Sequence, residues 1–351
     1  MAMFASLHRP LFTVVTCLYL NMVNGCSGAF VTSRTQHQSF KRFGKTNLNE
    51  QSRRDALLTG ASLAAPTFFT PLQASGRDQA AAVKKLNKPL ADLPMIRLKL
   101  PRGALGREYV VIQLTIQNQG PFDFMVDSGL TTEMITPHLK DLLHIKTGTS
   151  KIRGLAAGGG NEKPLVELKG ASLCCGKFAD ANASAVVLPP LRAVVTDFPQ
   201  EHIDPNHNVE GMIGMELLEL FDVDFDFPKG RLRFWPPQES DKANLVSIPA
   251  VVLNESGLEG IRVRSPQQKT SQPMLGIIDC GASFSIVNLA AADLLGLPRD
   301  PKAYTSPYVM GVGVDGRPMV MPTASVQFSF TGKAVKDAST GQLRFEGPPE
   351  K

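Results

Sequence analysis

The chain has 351 residues, 43% of them hydrophobic and 20% charged, a globular composition that excludes a disordered tail or a coiled coil. Its formal net charge is +5, yet residues 1–82 hold 8 of the 37 Lys+Arg and 3 of the 32 Asp+Glu, which leaves 29 of each sign in residues 83–351. The body is therefore neutral and lacks the basic excess that nucleic-acid binding requires, so no nucleic-acid partner is expected.

The N-terminal quarter reads as three address segments in a row. Residues 1–29 have the layout of a secretory signal peptide: polar His8 and Arg9, an apolar run from Leu11 to Leu20, then small residues at Cys26-Ser27-Gly28-Ala29. Ten apolar residues make only about 15 Å of helix, too short for a bilayer, so no stable membrane span is expected in the mature chain. Residues 30–51 open with Phe30 and carry Arg34, Lys41, Arg42 and Lys45, with Ser and Thr interspersed, the composition of a transit peptide. Residues 52–82 begin Ser52-Arg53-Arg54-Asp55-Ala56-Leu57-Leu58 and resemble a twin-arginine signal. Signal peptide, Phe and transit-like stretch together resemble the bipartite plastid presequence of algae with complex plastids. Inside a plastid the twin-arginine segment implies the thylakoid lumen.

Processing of that kind removes Cys17 and Cys26 and leaves Cys174, Cys175 and Cys280. Three thiols do not make a disulfide framework, and no CxxC or His-rich spacing suggests zinc. Adjacent Cys174 and Cys175 are expected on alternating faces of one strand.

From Leu93 onward the pattern is β-rich. Ile96, Leu98 and Leu100 alternate with Arg97 and Lys99. Tyr109–Ile116 is a β-branched run, Asn118-Gln119-Gly120 a turn signal, and Phe122–Val126 the return strand that delivers Asp127. Later, Pro228-Lys229-Gly230 separates two more strands, the first with Asp222, Asp224 and Asp226 alternating with apolar residues, the period of a half-buried strand. A boundary is expected at the polar, proline-containing stretch 236–241. This gives an N-terminal lobe over 83–238 and a C-terminal lobe over 245–351.

The two lobes repeat one pattern. Asp127-Ser128-Gly129 and Asp279-Cys280-Gly281 each end an apolar strand, and each is followed by a helical pattern, closing with Asp141-Leu142-Leu143 in one case and Asp293-Leu294-Leu295 in the other. Glycine-rich loops follow at comparable distance, Gly154 to Gly160 (with Gly158 and Gly159) and Gly311 to Gly316 (with Gly313). One Asp-x-Gly is a weak signal; two in matching contexts argue for a duplication. Two carboxylates at equivalent places in two related lobes can meet across a pseudo-twofold axis. Held about 3 Å apart they share one proton, and the pair can activate a water without metal or covalent intermediate. Neither metal nor cofactor is expected.

Read singly, the other candidates point elsewhere. Glu133 reads as a first-turn helix acid. His138, His144, His202 and His207 share no ligand spacing and read as surface residues. Gly158-Gly159-Gly160 has no Lys-Ser/Thr at P-loop spacing. No Gly-x-Ser-x-Gly or Cys/His pair suggests a covalent nucleophile.

Three features carry a family resemblance: the Asp-x-Gly triplets after apolar strands, Ala-Ser-Phe-Ser after Gly281, and Gly211-Met212-Ile213-Gly214-Met215 before Phe221-Asp222-Val223-Asp224. Over roughly residues 93–351 the chain resembles the retropepsin/pepsin superfamily of aspartic proteases, most of all the bilobal plastid aspartyl-protease-like proteins. The resemblance implies an all-β, bilobal acid-protease fold acting as a monomer on a polypeptide substrate. It implies Asp127 and Asp279 as the catalytic pair, and Ser128, Gly129, Cys280 and Gly281 as its supports. Gly154, Gly158, Gly159, Gly311 and Gly313 would lie in the flaps, and residues 212–214 would thread behind the catalytic loop. Two departures are visible. Cys280 replaces the family's hydroxyl, a weaker donor that should loosen the interlobe lock and, if exposed, invite oxidation. Moreover, the offset between the lobes places lobe two's own thread at about residue 365, so lobe two is expected to be incomplete at its C-terminus. Those departures keep open a rival reading, a catalytically inactive peptide- or protein-binding module.

Overall fold

The β-branched run and its return strand form the hairpin from which the fold is built. Glu108–Ile116 pairs antiparallel with Gln119–Val126, with Val111 opposite Met125 and Ile112 opposite Phe124. Val110, Ile112, Leu114 and Ile116 are fully buried on the core face. The turn lies one residue earlier than the sequence suggested: Gln117 and Asn118 both adopt positive φ, 52° and 61°, the two-residue mirror turn that matches the twist of a hairpin. Here and below, the computed structural model describes residues 16–18, 29–32, 88–99, 108–156, 159–173, 185–197, 207–242, 245–253, 256–266, 273–305, 308–312, 318–336 and 343–345. They are nearly all β.

The strand Val209–Ile213 threads between this hairpin and Glu133–Ile135. It runs parallel to Gln119–Val126, with Met212 opposite Met125 and Ile213 opposite Val126, and antiparallel to Glu133–Ile135. The Asp127 N–H donates to the Ile213 carbonyl at 2.9 Å, so the thread holds the root of the loop that follows. The helix Pro137–Leu142 comes next, capped by Thr136, whose hydroxyl accepts the Leu139 N–H. Leu139 is fully buried in the core of this lobe.

Lobe two repeats these steps. Glu259–Arg264 pairs antiparallel with Met274–Ile278, and Ile286–Val287 precedes the helix Leu289–Leu294. That helix is capped by Asn288, whose side-chain oxygen accepts the Ala291 N–H. Caps, helices and Asp-x-Gly loops recur at the spacing of 152 that separates Ser128 from Cys280. Ile261, Val263, Met274, Ala291 and Leu295 form this lobe's own core.

Between Met274–Ile278 and Ile286–Val287 lies the place that a thread fills in lobe one. Thr16–Leu18 occupies it, parallel to the first strand and antiparallel to the second. Cys17 and Leu18 stand opposite Ile277 and Ile278, as Met212 and Ile213 stand opposite Met125 and Val126. A second N-terminal strand, Ala29–Thr32, pairs antiparallel with Asp222–Asp226 and sets Phe30 opposite Phe225. The thread that the sequence led us to seek near residue 365 is thus supplied, in this structure, from within the segment read as a signal peptide. Cys17 lies opposite Ile286. In a full-length Ile286→Cys chain with Cys26, Cys174 and Cys175 replaced by serine, mild oxidation is expected to join Cys17 to the introduced thiol by an intramolecular disulfide. Peptide mapping reads it out. Its absence, or bridges only between molecules, would mean that another strand fills the slot.

The strand Asp222–Asp226 is buried on both faces rather than half-buried, and both its edges are paired, with Ala29–Thr32 and with Arg231–Trp235. Its acids survive burial by pairing. The Arg233 guanidinium donates to Asp224 at 2.8 Å and to Asp226 at 3.0 Å, and the Ser240 hydroxyl donates to Asp222 at 2.6 Å. Cys174 and Cys175 lie outside the described residues, just beyond the strand Ala171–Leu173.

Glu133 is corrected by the structure. It stands in a strand, 1% exposed, and not in the first turn of a helix. Its Oε1 accepts the Leu217 N–H at 2.9 Å, which caps the helix Met215–Leu218 from outside, since Gly214 at the N-cap has no side chain to do so. Its Oε2 has no hydrogen-bond partner among the described residues. Burial, and then the neighbouring Glu216, hold its pKa well above the ordinary glutamate value. Folding therefore favours the protonated carboxyl. The stability tied to it is complete below the unfolded carboxyl pKa and is lost as pH rises through the folded one. Glu133→Gln keeps the acceptor and removes the titration. It is expected to stabilise the protein by about 1 kcal/mol or more at neutral pH, with the gain vanishing near pH 4. Thermal melts of both proteins across that range check it.

Candidate active site

The two Asp-x-Gly loops meet back to back at the junction of the lobes. Four hydrogen bonds cross between them in a reciprocal pattern. The Ser128 hydroxyl donates to the Ile278 carbonyl at 2.9 Å and accepts the Cys280 N–H at 3.0 Å. The Cys280 thiol donates to the Val126 carbonyl at 3.3 Å and accepts the Ser128 N–H at 3.3 Å. The lock expected of a hydroxyl at both positions is therefore complete with one thiol. Its sulfur half is longer by 0.3–0.4 Å, as the size of sulfur requires, and weaker, because a thiol is a poor donor. The exposure on which oxidation of Cys280 would depend is not found. It is 6% exposed and packs in the lobe-one core, and burial pushes its thiol up to about 12. A thiol so far from ionising is a structural side chain rather than a redox-active one.

The lock brings each carboxylate against the other lobe's glycine. A Cβ added to Gly281 would lie 2.2 Å from Asp127 Cγ, and one added to Gly129 would lie 2.6 Å from Asp279 Cγ. Only glycine leaves room for this approach. The same glycines orient the acids: Gly129 N–H donates to Asp127 Oδ1 at 2.8 Å, and Gly281 N–H donates to Asp279 Oδ1 at 2.9 Å. Asp127 and Asp279 are 8% and 2% exposed, and their carboxyl groups hydrogen-bond each other. Burial, and then the Asp279 charge beside it, hold Asp127 well above the ordinary aspartate range. Two buried carboxyls in hydrogen-bond contact keep one proton between them, since ionising both would set like charges side by side.

The glycine-rich loops form two hairpins. Lys151–Ala156 pairs with Gly159–Leu168, with Gly154 and Gly159 inside the strands. Tyr308–Val312 pairs with Pro318–Pro322, with Gly311 in its first strand. Gly158 and Gly313 lie outside the described residues. Of the histidines, His138 Nδ1 contacts Glu210 and His207 Nδ1 contacts Asp123, each at 2.8 Å. Both contact carboxylates of lobe one. His144 is exposed, and His202 lies outside the described residues. Sequence reasoning passed over two hydroxyls near the dyad, Tyr109 and Ser283, which hydrogen-bond each other. Ser283 belongs to the Ala-Ser-Phe-Ser run; Tyr109 is the second residue of the strand whose hairpin partner leads into Asp127, and only that register signals it.

The fold is all-β, with two related lobes and an aspartate pair where their Asp-x-Gly loops meet. Comparison with known proteins gives two likenesses. The profile of the family described as aspartyl protease matches residues 112–217, the span that carries Asp127, the first flap-like hairpin and the thread Val209–Ile213. Among solved structures the chain is similar to a retropepsin-like aspartic protease from Rickettsia conorii. That similarity has 20% identity over 41% of this chain and 92% of the other, with a TM-score of 0.25. No curated protein matches the chain.

Proposed function

We propose that this chain is an aspartic endopeptidase that hydrolyses peptide bonds of an extended polypeptide with one activated water. One observation carries the reading: two buried carboxyls in hydrogen-bond contact, each held by the N–H of its own loop's glycine. In the active form one acid is protonated and one ionised. The raised pKa of Asp127 favours it as the protonated member. The ionised carboxylate takes a proton from a water held between the pair, and the water oxygen attacks the scissile carbonyl carbon. The protonated acid donates to the carbonyl oxygen. The resulting tetrahedral diol collapses, its C–N bond breaks, and a proton passes to the leaving nitrogen, which yields a carboxylic acid and an amine. Two glycine-containing hairpins, 151–168 and 308–322, are suited to close over an extended substrate and exclude water. Both halves of the dyad come from one chain, so the reading needs only a single copy. The plastid address rests on the order of the three segments in residues 1–82. Residues 16–18 and 29–32 pair with strands of the body, so N-terminal sequencing of the mature protein is the test of where processing occurs.

The test is cleavage of an unfolded protein by the purified full-length chain between about pH 4 and pH 7. Acid-favoured cleavage supports the enzyme. A folded chain that binds the unfolded substrate without cutting it favours a peptide-binding module instead, the reading to which the thiol in the lock lends weight.

A further inference from the structure

The dyad's surroundings are not symmetric, although its loops are. In lobe one, Val111 stands opposite Met125, so the same register sets Tyr109 opposite Asp127. In lobe two, Gly260 stands opposite Ile277, the equivalent of Met125, so Leu258 occupies the place of Tyr109. The tyrosine hydroxyl crosses to the other lobe and hydrogen-bonds Ser283, four residues beyond Asp279. Ser283 is 6% exposed. Its lobe-one counterpart is Thr131, and the lobe-two residue in the place of Tyr109 is Leu258, an apolar residue 1% exposed that offers no hydroxyl. The Tyr109 ring packs against the apolar cluster that includes Leu98, Val111 and Met125, which fixes the direction from which its hydroxyl comes.

We propose that Tyr109 is a positioning residue: through its bond to Ser283 it ties lobe two's catalytic loop to lobe one on one side only, and so makes the two aspartates inequivalent. The assignment of a reaction rests on the endopeptidase reading, but the inequivalence does not. Burial raises the tyrosine pKa, the Ser283 bond lowers it, and Asp127 and Asp279 raise it again, with a net rise, so the group stays a neutral hydroxyl throughout the acid range. Asp127, Asp279, Tyr109 and the un-ionised Cys280 thiol are the titratable groups that face one another here. A hydroxyl dipole beside a carboxylate favours its charged form. Removing it should favour the protonated pair.

Tyr109→Phe keeps the ring and its packing and deletes only the bond; Ser283→Ala deletes the same bond from the other end. The experiment follows the infrared carboxyl band of the protonated pair, assigned by its change in Asp127→Asn, across an acid titration. It measures kcat and KM against pH in parallel. Each single variant is expected to raise the midpoint of the pair's titration by about half a pH unit and lower kcat several-fold, with KM unchanged within about twofold. The double variant should do no more than either single one, because both remove one bond. Midpoints that do not move, or single effects that add in full, overturn the proposal. A chain that cuts nothing but whose midpoint moves in both variants keeps it and removes the endopeptidase reading instead.

Discussion

Gly281→Ala is expected to lose the site. The added methyl would stand 2.2 Å from Asp127 Cγ and 2.6 Å from each of its oxygens, and no rotation of the methyl carbon relieves a contact fixed by the backbone. Real Cβ contacts stay beyond about 3 Å, so the carboxyl or the loop must retreat by about 1 Å. The carboxyl is poorly able to move. It is held by the Gly129 N–H at 2.8 Å and hydrogen-bonds Asp279 behind the lock. The loop is no freer, since Cys280 is bonded to Ser128 and to Val126 across the lobes. A displacement of that size at reacting groups costs on the order of 10²-fold in rate. The broken lock should lower the melting temperature as well. Gly148→Ala is the control: its nearest neighbour would be 3.9 Å away, and rate and melting should stay at wild-type values. If Gly281→Ala cleaves as the wild type does, the two carboxylates do not meet across the loops.

Much of this was legible in the sequence, for a physical reason. A duplication writes the same local requirements twice. A buried strand needs an apolar run, and a close approach needs a glycine. The first turn of each following helix needs a cap, which Thr136 and Asn288 provide. Those are short-range demands, and the repeat of Asp-x-Gly with its helix suffices to align the lobes from the order of residues alone. What stayed hidden was long-range. Chain order placed lobe two's thread at about residue 365, whereas a sheet requires only a strand of the right pattern, from wherever the chain can bring it. Thr16–Leu18 meets that requirement from within an apolar run, and the same run reads as a signal peptide when its neighbours are unknown. Glu133 failed for a similar reason. An acid just after an Asp-x-Gly loop looks like a helix start, but here it lies in a strand and caps a helix more than eighty residues away. The alternation of Asp222, Asp224 and Asp226 suggested an open face because the period reports which residues share a side, and not whether that side is covered.

The second large effect separates activity from stability. Asp127→Asn and Asp279→Asn should each reduce cleavage by about 10²–10⁴-fold, the share of a positioned acid or base in such a reaction. The two losses should be similar, because the pair works as a unit: an amide can neither take the water's proton nor pass one to the carbonyl oxygen. Stability should move the other way in Asp127→Asn. The wild-type carboxyl is buried beside Asp279, and its folded pKa lies well above the unfolded value. The stability linked to its proton is complete below the unfolded carboxyl pKa and is lost as pH rises through the folded one. Asparagine has nothing to titrate, and its amide still donates to the Asp279 carboxylate. The variant should therefore melt with the wild type near pH 3 and above it at neutral pH, with a gap that widens between the two. A functional acid pair kept at a cost in stability predicts this crossing of activity and melting temperature. A structural ion-pair or capping role for Asp127 predicts the reverse, a variant that melts lower at every pH where the carboxylate is charged. Calorimetry of wild type and Asp127→Asn across the same range as the cleavage assay tells the two apart, and it does so even if no substrate has been found.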